Sequence, residues 1–158
     1  MKNSLTLLFA ACTVMLVGTV AFSKTTAPAP AAAAKEGWGD NFQKATAQAK
    51  AEKKLLLLNF TGSDWCPFCI QLGKEVFSQP EFKKYAAQNL VLMDVDFPLT
   101  HLQPTALKAQ NDMLQNRYGI ETFPTVVVLN PAGKKIGEIG YQPGGPKAFI
   151  AALEHFKK

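Results

Sequence analysis

Apolar positions fall into blocks whose period changes along the chain. Leu55 to Phe60 is a continuous apolar run broken only by Asn59. It has the length of a strand, and its lack of alternation suits a central strand covered on both faces. Leu90 to Asp96 alternates instead, with Val91, Met93 and Val95 on one side and Leu92 and Asp94 on the other. That pattern predicts a second strand. Thr125 to Leu129 and Lys135 to Tyr141 are two further strand-length runs. Turn residues Asn130-Pro131-Ala132-Gly133 separate them, which predicts an antiparallel hairpin.

The segments between have helical spacing. Asn41 to Lys53 places Phe42, Ala45 and Ala49 on one face, with Asp40 the expected N-cap and Gln43 its capping-box partner. Trp38, just before, is expected to pack on the core. A helix from Cys66 to Phe77 puts Cys69, Gly73 and Val76 on one stripe, with Ile70 and Phe77 beside it. Pro80 breaks or kinks that helix, and Glu81 to Gln88 resumes it. Thr105 to Tyr118 aligns Leu107, Asn111, Leu114 and Tyr118, and Gly119 can end it in the left-handed conformation. Pro146 suits the first position of a last helix with Phe149, Ile150, Leu153 and Phe156 on its apolar face. A strand, helix and strand in succession imply a parallel pair joined by a right-handed crossover. The expected fold is α/β: a central mixed sheet with helices on both faces.

The N-terminus reads differently. Lys2 is followed by an uncharged apolar stretch, Leu5 to Phe22, and Ala21-Phe22-Ser23 is a small-x-small pattern. Residues 1–23 are therefore expected to be an export signal, which implies a periplasmic or other extracytoplasmic location. An uncleaved membrane anchor is a second reading. A lipoprotein site at Cys12 is a third, disfavoured by Phe9 and by the short apolar run before it. Residues 24–37, rich in Ala and Pro, form a linker, and 38–158 form the domain.

Composition narrows the function. The chain has 158 residues, 47% hydrophobic and 18% charged, which supports a packed core rather than disorder. Its net charge of +5 comes from scattered pairs such as Lys53-Lys54 and Lys134-Lys135. No basic run or aromatic–basic interleaving marks a nucleic-acid surface. Of three cysteines, Cys12 lies in the N-terminal segment. A chain left with only Cys66 and Cys69 has no disulfide framework, so that pair is its redox feature. The pair opens a helix, where free backbone N–H groups and the helix dipole favour a thiolate. Pro67 fits there because an early helical position needs no N–H. A structural disulfide or half of a zinc site would be the other uses of the pair. Zinc takes four ligands, and His101 and His155 are remote and not in a ligand-spaced pair. No metal and no bound cofactor are expected.

Strand Leu55 to Phe60, the run Trp65-Cys66-Pro67-Phe68-Cys69, and Tyr118-Gly119-Ile120 followed by Phe123-Pro124-Thr125 together resemble the thioredoxin superfamily. Phe60 to Cys66 is most similar to secreted bacterial thioredoxin-like proteins. The resemblance covers Trp38 to the C-terminus. It implies a thiol–disulfide oxidoreductase acting on protein thiols and disulfides and recharged by a redox partner. Cys66, nearer the solvent, would be the nucleophile, and Cys69 the resolving thiol. Trp65, Pro67 and Phe68 would flank and tune the pair. Pro124 would be cis and face the cysteines. Phe123 would offer backbone hydrogen bonds to a bound peptide and a ring to an apolar groove.

Two departures qualify this. Where many relatives carry a buried Asp as proton relay, the nearest residue is Asn59, and the loop to Cys66 is one residue longer. Glu75, Lys74 or water are the substitutes in view. Asp64 is expected to structure the loop or to be solvated. The dipeptide Pro67-Phe68 brings no cation, so the expected redox poise lies between the family's strong oxidants and strong reductants. A non-catalytic binding module and a glutathione-linked enzyme are the alternative functions.

Overall fold

The computed structural model describes residues 36–157. The expectations for residues 1–23 and for all but the last two linker residues lie outside them. The described residues contain strands β1 (Trp38–Gly39), β2 (Leu55–Thr61), β3 (Leu90–Asp96), β4 (Thr125–Leu129) and β5 (Lys135–Gly140). The helices are α1 (Phe42–Glu52), α2 (Pro67–Leu72), α3 (Pro80–Asn89), α4 (Thr105–Tyr118) and α5 (Gly145–His155). Strand order is β1-β3-β2-β4-β5. Strand β3 runs parallel to both β1 and β2, whereas β4 runs antiparallel to β2 and β5. The fold is the expected α/β mixed sheet.

Strand β2 sits centrally, and all seven of its residues are buried. Its side chains alternate between two cores. Leu55 and Leu57 pack with Leu72, Val76, Phe77, Phe82 and Phe149 on the face covered by α2, α3 and α5. Leu56, Leu58 and Phe60 pack with Ala45, Ala49, Met93 and Leu114 on the face covered by α1 and α4. Burial on both faces explains why this run lacks polar alternation. Strand β3 keeps its alternation: Val91, Met93 and Val95 are buried, whereas Leu92, Asp94 and Asp96 are half-buried.

Several local expectations need correction. The N-cap of α1 is Asn41, not Asp40; its side chain accepts from the Lys44 N–H at 2.9 Å. Trp38 is buried as expected, but it also forms a short edge strand pairing with Leu92. Two residues are too few for a period to show. The helix after Cys66 does not stay α-helical: Gly73–Phe77 is a π-helical segment. An i→i+5 turn brings the residues four and five places beyond Leu72 onto its face. Val76 and Phe77 are consequently both buried, while Ile70, placed beside the buried stripe by α-helical spacing, is exposed. The helix does break before Pro80, as expected, but Pro80 itself starts α3, and α5 begins one residue before Pro146. Gly119 ends α4 at φ 65°, and Gly133 completes the hairpin turn at φ 80°, both in the left-handed region that glycine tolerates.

Phe77, Phe82 and Phe149 form one aromatic cluster, with ring centroids 5.1–5.9 Å apart. Phe82 is fully buried at its centre. Phe82→Ala is expected to lower unfolding free energy by about 3–5 kcal/mol, through lost transfer energy and a residual cavity. Urea denaturation followed by circular dichroism measures this; a loss under about 1 kcal/mol would contradict the packing described.

Candidate active site

Strand direction gathers the site. β2 and β3 are parallel, so Thr61 and Asp96 end at the same edge of the sheet. β4 is antiparallel to β2, so it begins there, with Thr125 beside Phe60. The loops 62–66, 97–104 and 119–124 therefore meet at one end. Pro124 lies one residue beyond the β2–β4 ladder on that end, and Phe123–Pro124 is a cis peptide, as expected.

Cys66 is the N-cap of α2, and Pro67 is its first helical residue. Cys66 and Cys69 are disulfide-bonded, with Cα atoms 5.2 Å apart. The Cys69 N–H donates to Cys66 Sγ at 3.3 Å. The helix end thus presents a donor to the first sulfur. Cys66 is not the more exposed cysteine: it is 4% exposed and Cys69 7%. The reason is local. Capping folds Sγ back over the helix end, and the Cys66 N–H is tied to the Gly62 carbonyl at 2.9 Å. Beside the disulfide, a cavity of about 410 Å³ is lined in part by Thr61, Ser63, Cys69, Ile70 and Lys74.

An aromatic rim surrounds the pair. Trp65 and Phe68 are 42% and 57% exposed. Trp65 meets Phe123 edge-on at 5.9 Å, and Phe123 meets Phe97 at 5.3 Å. Phe68 lies 5.7 Å from the Tyr141 ring. The Trp65 indole N–H donates to the Phe97 carbonyl at 2.7 Å. A Cβ on Gly62 would overlap the indole, so glycine is what lets Trp65 lie over the loop. Trp65 and Phe123 are thus brought into contact across the site, and Phe68 stands on its Tyr141 side.

Strand register adds residues that periodicity did not reveal. Asn59 faces Asp94 across the β2–β3 ladder, and its Nδ2 donates to Asp94 Oδ1 at 2.7 Å. Asn59 shares its strand face with Leu57, which packs with Leu72 and Val76. This polar pair, buried at Asn59 and half-buried at Asp94, therefore lies on the sheet face covered by α2. Asn59 Oδ1 is buried without a hydrogen-bond partner among the described residues. Glu75 is engaged elsewhere: it accepts from Gln71 Nε2 and from the Tyr141 hydroxyl, each at 2.8 Å. Those bonds, Gln71 first, hold its carboxyl below the usual range, and the same contact raises the Tyr141 phenol.

Asp64 does structure the loop, and it reaches a segment distant in sequence. Its carboxylate accepts from the Thr100 hydroxyl at 2.5 Å, the Thr100 N–H at 2.7 Å and the Leu99 N–H at 3.0 Å. His101 Nδ1 lies 3.5 Å away. Asp96 binds the same loop from the other side, accepting from the Ser63 N–H at 2.9 Å and its hydroxyl at 2.6 Å. The Thr100 bonds, hydroxyl then amide, hold the Asp64 carboxyl down at about 2. Among the described residues no three His, Cys, Asp or Glu side chains gather as a metal-holding group.

A carboxyl depressed in the folded state contributes stability above its unfolded pKa near ~4, and that contribution is lost as pH falls through the folded value. Titrating the full chain by NMR should therefore move the Thr100 amide resonance with a midpoint near 2. A midpoint near ~4, the free carboxyl range, would show that the Asp64 contacts do not persist in solution.

A family model described as a thioredoxin-like domain matches residues 42–157. The disulfide bond reductase DsbH of Chlamydia pneumoniae is 34% identical over 125 residues, which span 79% of this chain and 75% of that protein. The thioredoxin-related protein DsbJ of the same organism is 30% identical over 103 residues, covering 65% of this chain and 30% of its own length. A solved structure of DsbH oxidoreductase superposes with a TM-score of 0.72 at 32% identity, over 84% of this chain and 90% of that one. Fold, disulfide and likeness agree, and the chain belongs to the thioredoxin-like family as a thiol–disulfide oxidoreductase.

Proposed function

We propose that the protein works outside the cytoplasm and exchanges disulfides with protein substrates, with Cys66 as nucleophile and Cys69 as resolving thiol. The observation behind the roles is the Cys69 N–H held on Cys66 Sγ at the start of α2. When the pair is reduced, that donor favours the thiolate at Cys66 rather than at Cys69. Export rests on residues 1–23, whose pattern is that of a signal; an anchor would leave the same domain tethered to a membrane.

The exchange balances as follows. The Cys66 thiolate attacks one sulfur of a substrate disulfide, and the displaced substrate thiolate takes up a proton. Cys69 then loses its proton and attacks Cys66 Sγ. The bond between Cys66 and the substrate breaks, the second substrate thiol is freed, and the Cys66–Cys69 disulfide reforms. Two electrons pass to the substrate, and a separate dithiol must return them. DsbH is called a disulfide bond reductase, which supports this direction over its reverse. Pro67-Phe68 adds no cation to the thiolate, which supports a potential short of the strong oxidants. Phe123, in ring contact with Trp65, would shape the rim for a bound peptide, with the buried Pro124 fixing its loop.

The roles are separable by substitution. Cys66→Ser is expected to abolish reduction of insulin disulfides. Cys69→Ser is expected to accumulate a mixed disulfide with insulin, visible on a gel run without reductant. Accumulation in Cys66→Ser instead would reverse the two roles, and a wild-type chain without turnover would end the proposal.

A further inference from the structure

The 97–103 segment is held beside the redox loop by a concentration of contacts, yet two leucines at its tip stand open. Phe97 N–H donates to the Thr61 carbonyl at 2.9 Å, just where β2 leads into the redox loop. At its far end the Gln103 side-chain Nε2 donates to the Asp96 carbonyl at 3.1 Å. The buried Asn111 donates to that carbonyl as well, at 2.9 Å. Between these anchors the Asp64 carboxylate takes both the Leu99 and Thr100 amides. Leu99 is left 75% exposed and Leu102 wholly so.

A single exposed leucine is ordinary on a protein surface. Here the arrangement is concerted. Of six large apolar side chains exposed among the described residues, Trp65, Phe68 and Ile70 lie in or beside the Cys66–Cys69 motif, and Leu99 and Leu102 lie on the segment latched to it. Ring contacts from Phe97 through Phe123 to Trp65 make the segment continuous with the rim of the disulfide. Asp64, at the junction, is turned into the loop and occupied by N–H and O–H donors. Outward the segment presents Leu99 and Leu102, with Thr100 and His101 between them and no carboxylate.

We propose that Asp64 is a positioning residue that fixes the 97–103 segment as one wall of the substrate groove. Leu99 on that wall then selects polypeptide disulfides with an apolar residue near the reacting cysteine. The inference rests on the exchange reaction proposed above and adds its specificity. The wall touches the polypeptide flanking the disulfide and takes no part in sulfur exchange. A small disulfide reaches Cys66 without touching it.

The full chain is assayed with insulin and, separately, with hydroxyethyl disulfide, dithiothreitol serving as the electron donor. Asp64→Ala and Leu99→Ser should each raise KM for insulin by at least about fivefold, the scale of losing one apolar anchor from an interface. Their kcat for insulin and their rates on hydroxyethyl disulfide should stay within about twofold of wild type, as lost flank binding requires. Hydrogen exchange at the Leu99 and Thr100 amides should accelerate in Asp64→Ala and not in Leu99→Ser. An unchanged insulin KM in both variants would overturn the wall while leaving the exchange reaction intact. A parallel fall on the small disulfide would overturn it too, since Asp64 would then be acting on the cysteines. Leu99→Ser keeps the test decisive if Asp64→Ala does not fold. A wild-type chain that turns over neither substrate would remove the exchange reading and the wall together.

Discussion

The ladder of hydrogen bonds on either side of β2 is the constraint on which the active end depends. Its parallel register with β3 and its antiparallel register with β4 bring Thr61, Asp96 and Thr125 to one edge of the sheet. Each of those residues borders a loop that the chemistry needs. A slip of one residue would exchange the two faces of β2. Leu57 would leave the core under α2, and Asn59 would leave that face along with it. Since every side chain of β2 is buried, such a slip would expose apolar surface or bury polar groups on both faces at once. At about 1.5–3 kcal/mol for each large apolar side chain, burial makes the register hard to shift.

Within that frame the first sulfur is served by the backbone rather than by a charged side chain. Cys66 caps α2 and receives the Cys69 N–H, and Pro67 occupies a position where no donor is required. The nearby carboxylates are diverted: Asp64 to the 97–103 segment, Glu75 to Gln71 and Tyr141. Diverting Asp64 matters because a carboxylate free to approach Cys66 would oppose its ionisation. The same hydrogen bonds therefore shape the groove and keep negative charge directed away from the sulfur. Aromatic rings supply the remaining surface, and they interlock across loops that are far apart in the chain.

Much of this was legible in the residues. β2, β3, the hairpin and α4 announce themselves by period and by turn chemistry, because packing alone decides their pattern. Cys66, Cys69 and Pro124 were visible as motif residues, and their loops do converge. The remainder depends on contacts between distant segments. That Asn59 meets Asp94, or that Asp64 meets Thr100, follows from strand register and loop docking, which leave no periodic trace. The π-helical segment hides behind residues that suit an α-helix equally well. Cys66, expected nearer the solvent from its place in the motif, is no more exposed than Cys69. The cap is the sulfur itself, and it folds inward.

The central claim is that Cys66 and Cys69 form a reversible dithiol–disulfide couple. Equilibrating the protein in glutathione buffers, with thiol trapping and Trp fluorescence as readouts, tests it directly. The expected result is a single two-electron transition between about −180 and −270 mV, short of the strong oxidants near −120 mV. A pair that stays closed across the accessible range while the chain remains folded would contradict it, and the disulfide would then be structural.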